Sequence, residues 1–256
     1  MKKYKGYMID LDGTIYKGKE KIPAAKRFIE RLQQHNIPFL FVTNNSTKTP
    51  SEVAKNLADN FSIYVTEKNV YTTALATADY LASLDQTKKK IYAIGQLGLK
   101  QALLDKGFIF EETTPDYVVV GLDMDVTYHK FELATLAIKR GATFIGTNAD
   151  TNLPNERGLV PGAGSVIALV ECSTQKKAFY IGKPETIIMQ KALAKLQLTK
   201  DEVIMVGDNY LTDIKAGLNF GIDTLLVYTG VSTKEQVKKQ VKKPTYEIDS
   251  LDEWVI

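Results

Sequence analysis

The sequence predicts an α/β protein: a doubly wound parallel core sheet with a second α/β domain inserted into it. Three observations predict this. Short apolar runs alternate with helical patterns from residue 7 to residue 228, as parallel sheets covered by helices require. Polar clusters stand just past four of those runs, at the strand ends where open α/β sheets bind ligands. Finally, 139 residues, positions 44 to 182, separate Thr43 from Lys183. A minimal doubly wound core uses roughly 40 to 50 of them for its helices and strands; the surplus is domain-sized.

The elements follow in order. Strand 7–11 is succeeded by helix 24–35 and by strand 39–43, Phe-Leu-Phe-Val-Thr. Thr49-Pro50-Ser51-Glu52 reads as an N-cap with proline at the first helical position, opening helix 50–59. A helix over 71–84 comes next. The middle repeats the theme: strand 91–94, helix 97–106, strand 117–121, helix 129–140, strand 143–147, helix 163–173. The final third supplies strand 178–181, helix 185–196, strand 203–207, helix 211–219 and strand 223–228. Only 28 residues, positions 15 to 42, separate Thr14 from Thr43, enough for one helix and one strand. The inserted domain therefore falls later. The expected division is a Rossmann-like core over 1–79 and 178–256, with the insert over 80–177.

Composition narrows the function classes. An apolar content of 44% and a charged content of 25% are those of a soluble globular protein. A net charge of +3 is too small to argue for a nucleic-acid partner, and none is expected; the five lysines from Lys234 to Lys243 read as a solvated helix face. No apolar run approaches the length of a membrane span, and the N-terminus does not read as a signal peptide. The lone Cys172 excludes an intrachain disulfide and is expected in the core. A cytoplasmic location is expected. The two histidines, His35 and His129, fall at predicted helix edges and read as surface or capping residues. Scarcity of histidine and cysteine argues against zinc sites and Cys–His or Ser–His–Asp chemistry.

Carboxylates, a lysine and hydroxyls are left to do the work. Asp10-Leu-Asp-Gly-Thr14 places two carboxylates two residues apart where a glycine breaks the first strand. Neighbouring carboxylates raise each other's pKa unless a cation lies between them. A magnesium-type site is the economical reading, with attack on phosphorus and proton transfer as the remaining carboxylate chemistry. The other strand ends carry Thr43-Asn44-Asn45-Ser46, Gly182-Lys183-Pro184 and Gly207-Asp208-Asn209-Tyr-Leu-Thr-Asp213. Thr43 and Asn44 can donate to a phosphoryl oxygen. Lys183 can neutralise the transferring group and hold the nucleophile. Asp208 can complete the cation site, and Asp213 can brace the metal waters or Lys183. Taken singly, each cluster also reads as an ordinary turn, cap or surface lysine. Four strand ends carrying this set in this order favour chemistry.

Together these motifs resemble the haloacid dehalogenase superfamily over the whole chain. Within it, the sequence is similar to the NagD-like phosphatases. The closer likeness rests on the stretches already quoted together with Phe41-Val-Thr-Asn-Asn-Ser46, Gly146-Thr-Asn-Ala-Asp150 and Pro161-Gly-Ala-Gly-Ser165. Ala149 stands where many members have proline. The resemblance implies a magnesium-dependent hydrolase of a small phosphorylated metabolite. Asp10 would be the nucleophile that forms an aspartyl-phosphate, and Asp12 the acid and then the base. Magnesium would be held by an Asp10 oxygen, the Asp12 backbone carbonyl and Asp208. Thr43, Asn44, Asn45 and Lys183 would hold the phosphoryl group, with Lys183 and Asp213 in the catalytic set. The insert would be a cap that reads the leaving group. The polar loop over 150–158, with Asn152, Asn155 and Glu156, is the candidate for substrate contact and reads equally as an ordinary surface loop. Asp12 counts against a dehalogenase, and the short first interval against a phosphomutase. A non-catalytic metabolite-binding or regulatory protein on the same scaffold is the alternative. Pairing of two chains through the cap stays open.

Overall fold

The computed structural model describes residues 2–155 and 157–256. The chain forms two compact units. The first comprises Met1–Thr43, Pro50–Tyr71 and Lys183–Ile256; the second comprises Asn44–Thr49 and Thr72–Gly182.

The first unit is built on a six-stranded sheet in the spatial order Tyr246–Ile248, Asp223–Val227, Val203–Gly207, Gly6–Ile9, Phe39–Thr43, Val70–Thr72. Gly6–Ile9 pairs in parallel with Val203–Gly207 on one side and Phe39–Thr43 on the other. Chain order thus reverses at this strand, which makes it the switch point where such sheets open a crevice. All residues of these three strands are buried, which is why they read as continuous apolar runs and not as alternation. Helix Pro23–Gln34 lays Ala24, Ala25, Phe28, Ile29 and Leu32 on the core as one helical stripe. Phe28 meets the Tyr7 ring edge-on at 5.6 Å between centroids. Trp254 stacks on Tyr4 and donates its indole N–H to the Tyr7 hydroxyl at 3.0 Å, fixing the end of the chain to the first strand.

The second unit has its own five-stranded parallel sheet, ordered Phe179–Tyr180, Thr143–Gly146, Tyr117–Val120, Lys90–Ile94, Ile109–Phe110. Its core joins Ile94, Val118, Val120, Ala134, Ile138 and Ile167. Helix Tyr128–Arg140 starts at Thr127, whose hydroxyl accepts from Lys130 N, and stops at Gly141 with φ +116°. Thr at the N-cap and a left-handed glycine at the end are what such a helix requires.

Several expectations are corrected. The division falls near 72 and 182, not at 80 and 177, and residues 44–49 join the second unit. Helix Thr73–Ala82 packs on helix Leu97–Asp105, which draws the boundary back. Strand Phe179–Tyr180, expected in the core, pairs with Thr143–Gly146 at the edge of the second sheet. The pattern over 211–219 is a π-helical turn, Tyr210–Ile214, leading into helix Lys215–Phe220. The segment expected as a loop over 150–158 contributes to a hairpin, Asn152–Asn155 with Gly158–Pro161, and Glu156 lies outside the described residues. Cys172 is exposed. Helix Ala163–Thr174 buries Ala163, Val166, Ile167, Val170 and Thr174, and position 172 falls off that stripe. Among the described residues no helix is long and apolar enough to cross a membrane.

Candidate active site

The register of the first sheet brings its strand ends level. Ile9 pairs with Val206, and Asp10 N donates to Val206 O at 2.8 Å. Asp10 and Asp208 therefore leave adjacent strands at the same end. Lys183 reaches them buried, its ammonium donating to Asp10 Oδ1 at 2.5 Å and to Asp213 Oδ1 at 2.7 Å. One oxygen from each of Asp10, Asp208 and Asp213 lies within 4.8 Å of the others.

Glycine makes this crowding feasible. Gly13 has φ +90°, and a Cβ there would stand 2.3 Å from Asp208 Oδ2. A Cβ on Gly207 would stand 2.3 Å from Asp213 Cβ. Asp213 comes from the π-helical turn, where its backbone N donates to Asn209 O at 2.9 Å and its Oδ2 accepts from Asn209 N at 3.1 Å. Asp208 Oδ1 accepts from the Thr14 hydroxyl at 3.2 Å and Oδ2 from Val231 N at 2.7 Å.

The electrostatics are those of a site short of positive charge. Burial first, and then the Asp213 charge, push the Asp10 carboxyl well above the usual range, against the pull of Lys183. Burial and Asp213 likewise push Asp208 up to about 7, opposed by the hydrogen bonds from Val231 and Thr14. Burial works against the Lys183 ammonium, yet the Asp10 and Asp213 charges outweigh it and hold its pKa above the ordinary lysine value. Three buried carboxylates face one buried ammonium, so two negative charges remain when all are ionised. Buried charge of that kind requires a partner. A divalent cation with a preference for oxygen ligands fits both the charge and the donor set.

The other expected site residues are placed as follows. Thr43 is buried at the end of the strand beside Gly6–Ile9. Asp12 is exposed, and its Oδ1 accepts from Gly18 N at 3.1 Å. Its carboxylate is not among the clustered three, where Asp213 stands instead; the resemblance assigns Asp12 to the metal through its backbone carbonyl only. Asn44 and Asn45 pack with the second unit. There Asn45 Oδ1 accepts from Thr47 N at 2.8 Å, from Thr47 Oγ1 at 3.0 Å and from Lys48 N at 3.2 Å, closing a turn.

Sequence reasoning missed the loop after strand Asp223–Val227. Thr229 Oγ1 donates to Gly13 O at 2.6 Å, and a Cβ on Gly230 would lie 1.9 Å from Asp208 Oδ2. A fifth strand end followed by Thr-Gly-Val-Ser was the available signal.

A family model described as haloacid dehalogenase-like hydrolase matches residues 7–109, and a second, described as HAD-hydrolase-like, matches residues 180–254. The chain is 50% identical over 257 residues to 5'-nucleotidase YutF of Bacillus subtilis, covering 100% of this chain and 99% of that protein. This chain belongs to the haloacid dehalogenase-like hydrolases. Another relative in this family, acid sugar phosphatase of Staphylococcus epidermidis, is 50% identical over 253 residues, covering 98% of this chain and 97% of the relative. Among solved structures, a thermostable NPPase double mutant from Geobacillus stearothermophilus has a TM-score of 0.93 at 51% identity, covering 100% of this chain and 99% of that one. NagD from E. coli K-12 has a TM-score of 0.93 at 32% identity, covering 99% of each chain. The expected α/β fold, the hydrolase class and the likeness to NagD-like phosphatases all hold.

Proposed function

We propose that this phosphomonoester hydrolase works through an aspartyl-phosphate on Asp10, with magnesium as its cation and a small phosphorylated metabolite as its substrate. The observation that carries this reading is the buried Lys183 ammonium between Asp10 and Asp213, with Asp208 beside them. A carboxylate held ionised by an adjacent ammonium together with a bound cation is a competent nucleophile.

Asp10 attacks phosphorus, and the bond from phosphorus to the leaving oxygen breaks as Asp12 gives that oxygen a proton. Asp12, now a carboxylate, takes a proton from a water whose oxygen attacks the aspartyl-phosphate. The bond from phosphorus to Asp10 breaks, inorganic phosphate leaves, and both side chains return to their starting state. The exposure of Asp12 suits a group that must exchange protons with a leaving alcohol and with water. Magnesium would be held by Asp10, Asp208 and the Asp12 carbonyl, braced by Asp213, and supplies charge neutralisation at the phosphoryl group. Thr43, Asn44, Asn45 and Lys183 hold the phosphoryl oxygens.

The second unit is the cap that reads the leaving group. The names 5'-nucleotidase and acid sugar phosphatase among the relatives direct the substrate search to nucleoside monophosphates and sugar phosphates. The single cysteine agrees with a cytoplasmic setting. The test is phosphate release from an aryl phosphate with and without magnesium, followed by ranking the two substrate classes by kcat/KM. Turnover that needs neither magnesium nor Asp10 would overturn the reading.

A further inference from the structure

Thr147-Asn148-Ala149-Asp150 follows strand Thr143–Gly146, and the mechanism gives these residues no role. Their neighbour is the segment Asn44–Thr49, which packs in the same unit. Asn148 Nδ2 donates to the Asn44 carbonyl at 2.8 Å, and the Thr73 hydroxyl donates to the same oxygen at 2.7 Å. Asn44 Nδ2 donates to Asp150 Oδ2 at 3.0 Å. Asn148 Oδ1 in turn accepts from Asp150 N at 3.1 Å, so the two clamping residues brace each other. Main-chain acceptor and side-chain donor of Asn44 are both fixed.

The rest of the segment is gripped by close backbone approach. Gly98 N donates to Thr47 O at 2.9 Å, and a Cβ on Gly98 would stand 2.4 Å from Lys48 O. A Cβ on Gly121 would meet the Ser46 hydroxyl at 3.0 Å, and one on Gly182 would meet Asn44 Oδ1 at 2.7 Å. Gly121, Thr147 and Gly182 all lie just past strands of the second sheet. That is where open α/β sheets take their ligands, and here the position is taken by the chain's own segment Asn44–Thr49.

We propose that Asp150 is a positioning residue for phosphoryl binding. It fixes the Asn44 side chain and, through the Thr43–Asn44 peptide, the placement of the Thr43 hydroxyl. An ionised carboxylate only accepts hydrogen bonds, so Asp150 turns the Asn44 amide N–H toward itself and its carbonyl oxygen toward Gly182. The proposal rests on the reading that Thr43 and Asn44 hold the phosphoryl group. That group is common to every substrate, so loss of Asp150 should be felt by all of them alike.

The experiment uses inorganic phosphate as a competitive inhibitor of the full-length enzyme, together with kcat and KM for an aryl phosphate, a sugar phosphate and a nucleoside monophosphate. Asp150→Ala should weaken phosphate inhibition about tenfold or more, as loss of an outer residue that orients a ligand group does, and lower kcat/KM by the same factor for all three substrates. Asp150→Asn keeps an acceptor for Asn44 and should stay within about threefold of wild type. In an Asn44→Ala background, Asp150→Ala should cost nothing further, because residues that act through one another are non-additive. Should Asp150→Ala fail to fold, Asp150→Leu against Asp150→Asn carries the same comparison at matched size. Additive losses, or losses confined to one substrate, would overturn the proposal. If Thr43→Val and Asn44→Ala weaken phosphate inhibition and Asp150→Ala does not, the phosphoryl-binding reading survives and the proposal alone is wrong. If Thr43→Val and Asn44→Ala leave inhibition unchanged, both fall.

Discussion

Lys183 and Asp10 are joined at 2.5 Å between ammonium and Oδ1, with both groups almost wholly out of water. The same ammonium holds Asp213 Oδ1 at 2.7 Å. Burial disfavours the ionised Asp10 carboxylate that a nucleophile needs. The lysine opposes that, and a cation beside Asp208 would complete the opposition. Positive charge is therefore both the structural and the chemical requirement of this site, and the consequences can be measured separately.

Replacing Lys183 with methionine strands the carboxylates. Breaking a buried pair by removing one partner typically costs about 3–5 kcal/mol. Lys183→Met should melt well below wild type at pH 8 without added cation and lose turnover on every substrate. The deficit should shrink toward pH 5.5, where protonation of Asp208 removes one of the stranded negative charges. Melting curves at the two pH values check this; an equal deficit at both would show that the lysine does not offset these charges.

The cation should compete with protons. Asp208, at about 7 in the folded protein, lies above the ordinary carboxylate value of 3.8 that it has when unfolded. Between those values the folded state binds more protons than the unfolded state. Stability of the cation-free protein from this group is thus fully present below about 3.8 and lost as pH rises through about 7. The rise in melting temperature on adding magnesium should accordingly be larger at pH 8 than at pH 6. A magnesium shift larger at pH 6 would contradict the assignment.

Asp12 should matter in proportion to the leaving group. Asp12→Asn removes the proton donor, and an aryl oxide leaves without much help. The variant should lose less in the first step for an aryl phosphate than for an alkyl phosphate. Single-turnover rates on both substrates make the comparison, and equal losses would remove Asp12 from the role of acid.

Substrate choice should reside in the second unit. Asn152→Ala and Asn155→Ala alter exposed positions of the hairpin Asn152–Asn155/Gly158–Pro161. They should reorder the ranking of sugar phosphates and nucleoside monophosphates. Hydrolysis of an aryl phosphate should stay within about tenfold, a barrier change of about 1.4 kcal/mol. Equal losses on all substrates would move the specificity element elsewhere.

The parts legible in the sequence were those written in local patterns. Apolar runs ending in Asp10, Thr43 and Asp208 announce the first parallel sheet and the polar groups at its strand ends, whereas the run before Lys183 belongs to the edge of the second sheet. The association of Asn44–Thr49 with the second unit was hidden, because its partners are Thr73, Gly98, Asn148 and Asp150, all distant in the chain. Val231 was missed because it holds Asp208 through a backbone N–H, which any residue type but proline supplies. The exposure of Cys172 is not legible in the sequence because helix Ala163–Thr174 is apolar on more than its buried stripe, which blurs the helical period.

The most direct test of the account is to trap the enzyme during turnover and locate the phosphoryl group by mass spectrometry. The adduct is expected on the peptide containing Asp10, on the Asp10 side chain, and is expected to be absent from Asp10→Asn. A phosphoryl group found on a serine, a histidine or Lys183, or an Asp10→Asn enzyme that still turns over, would contradict it.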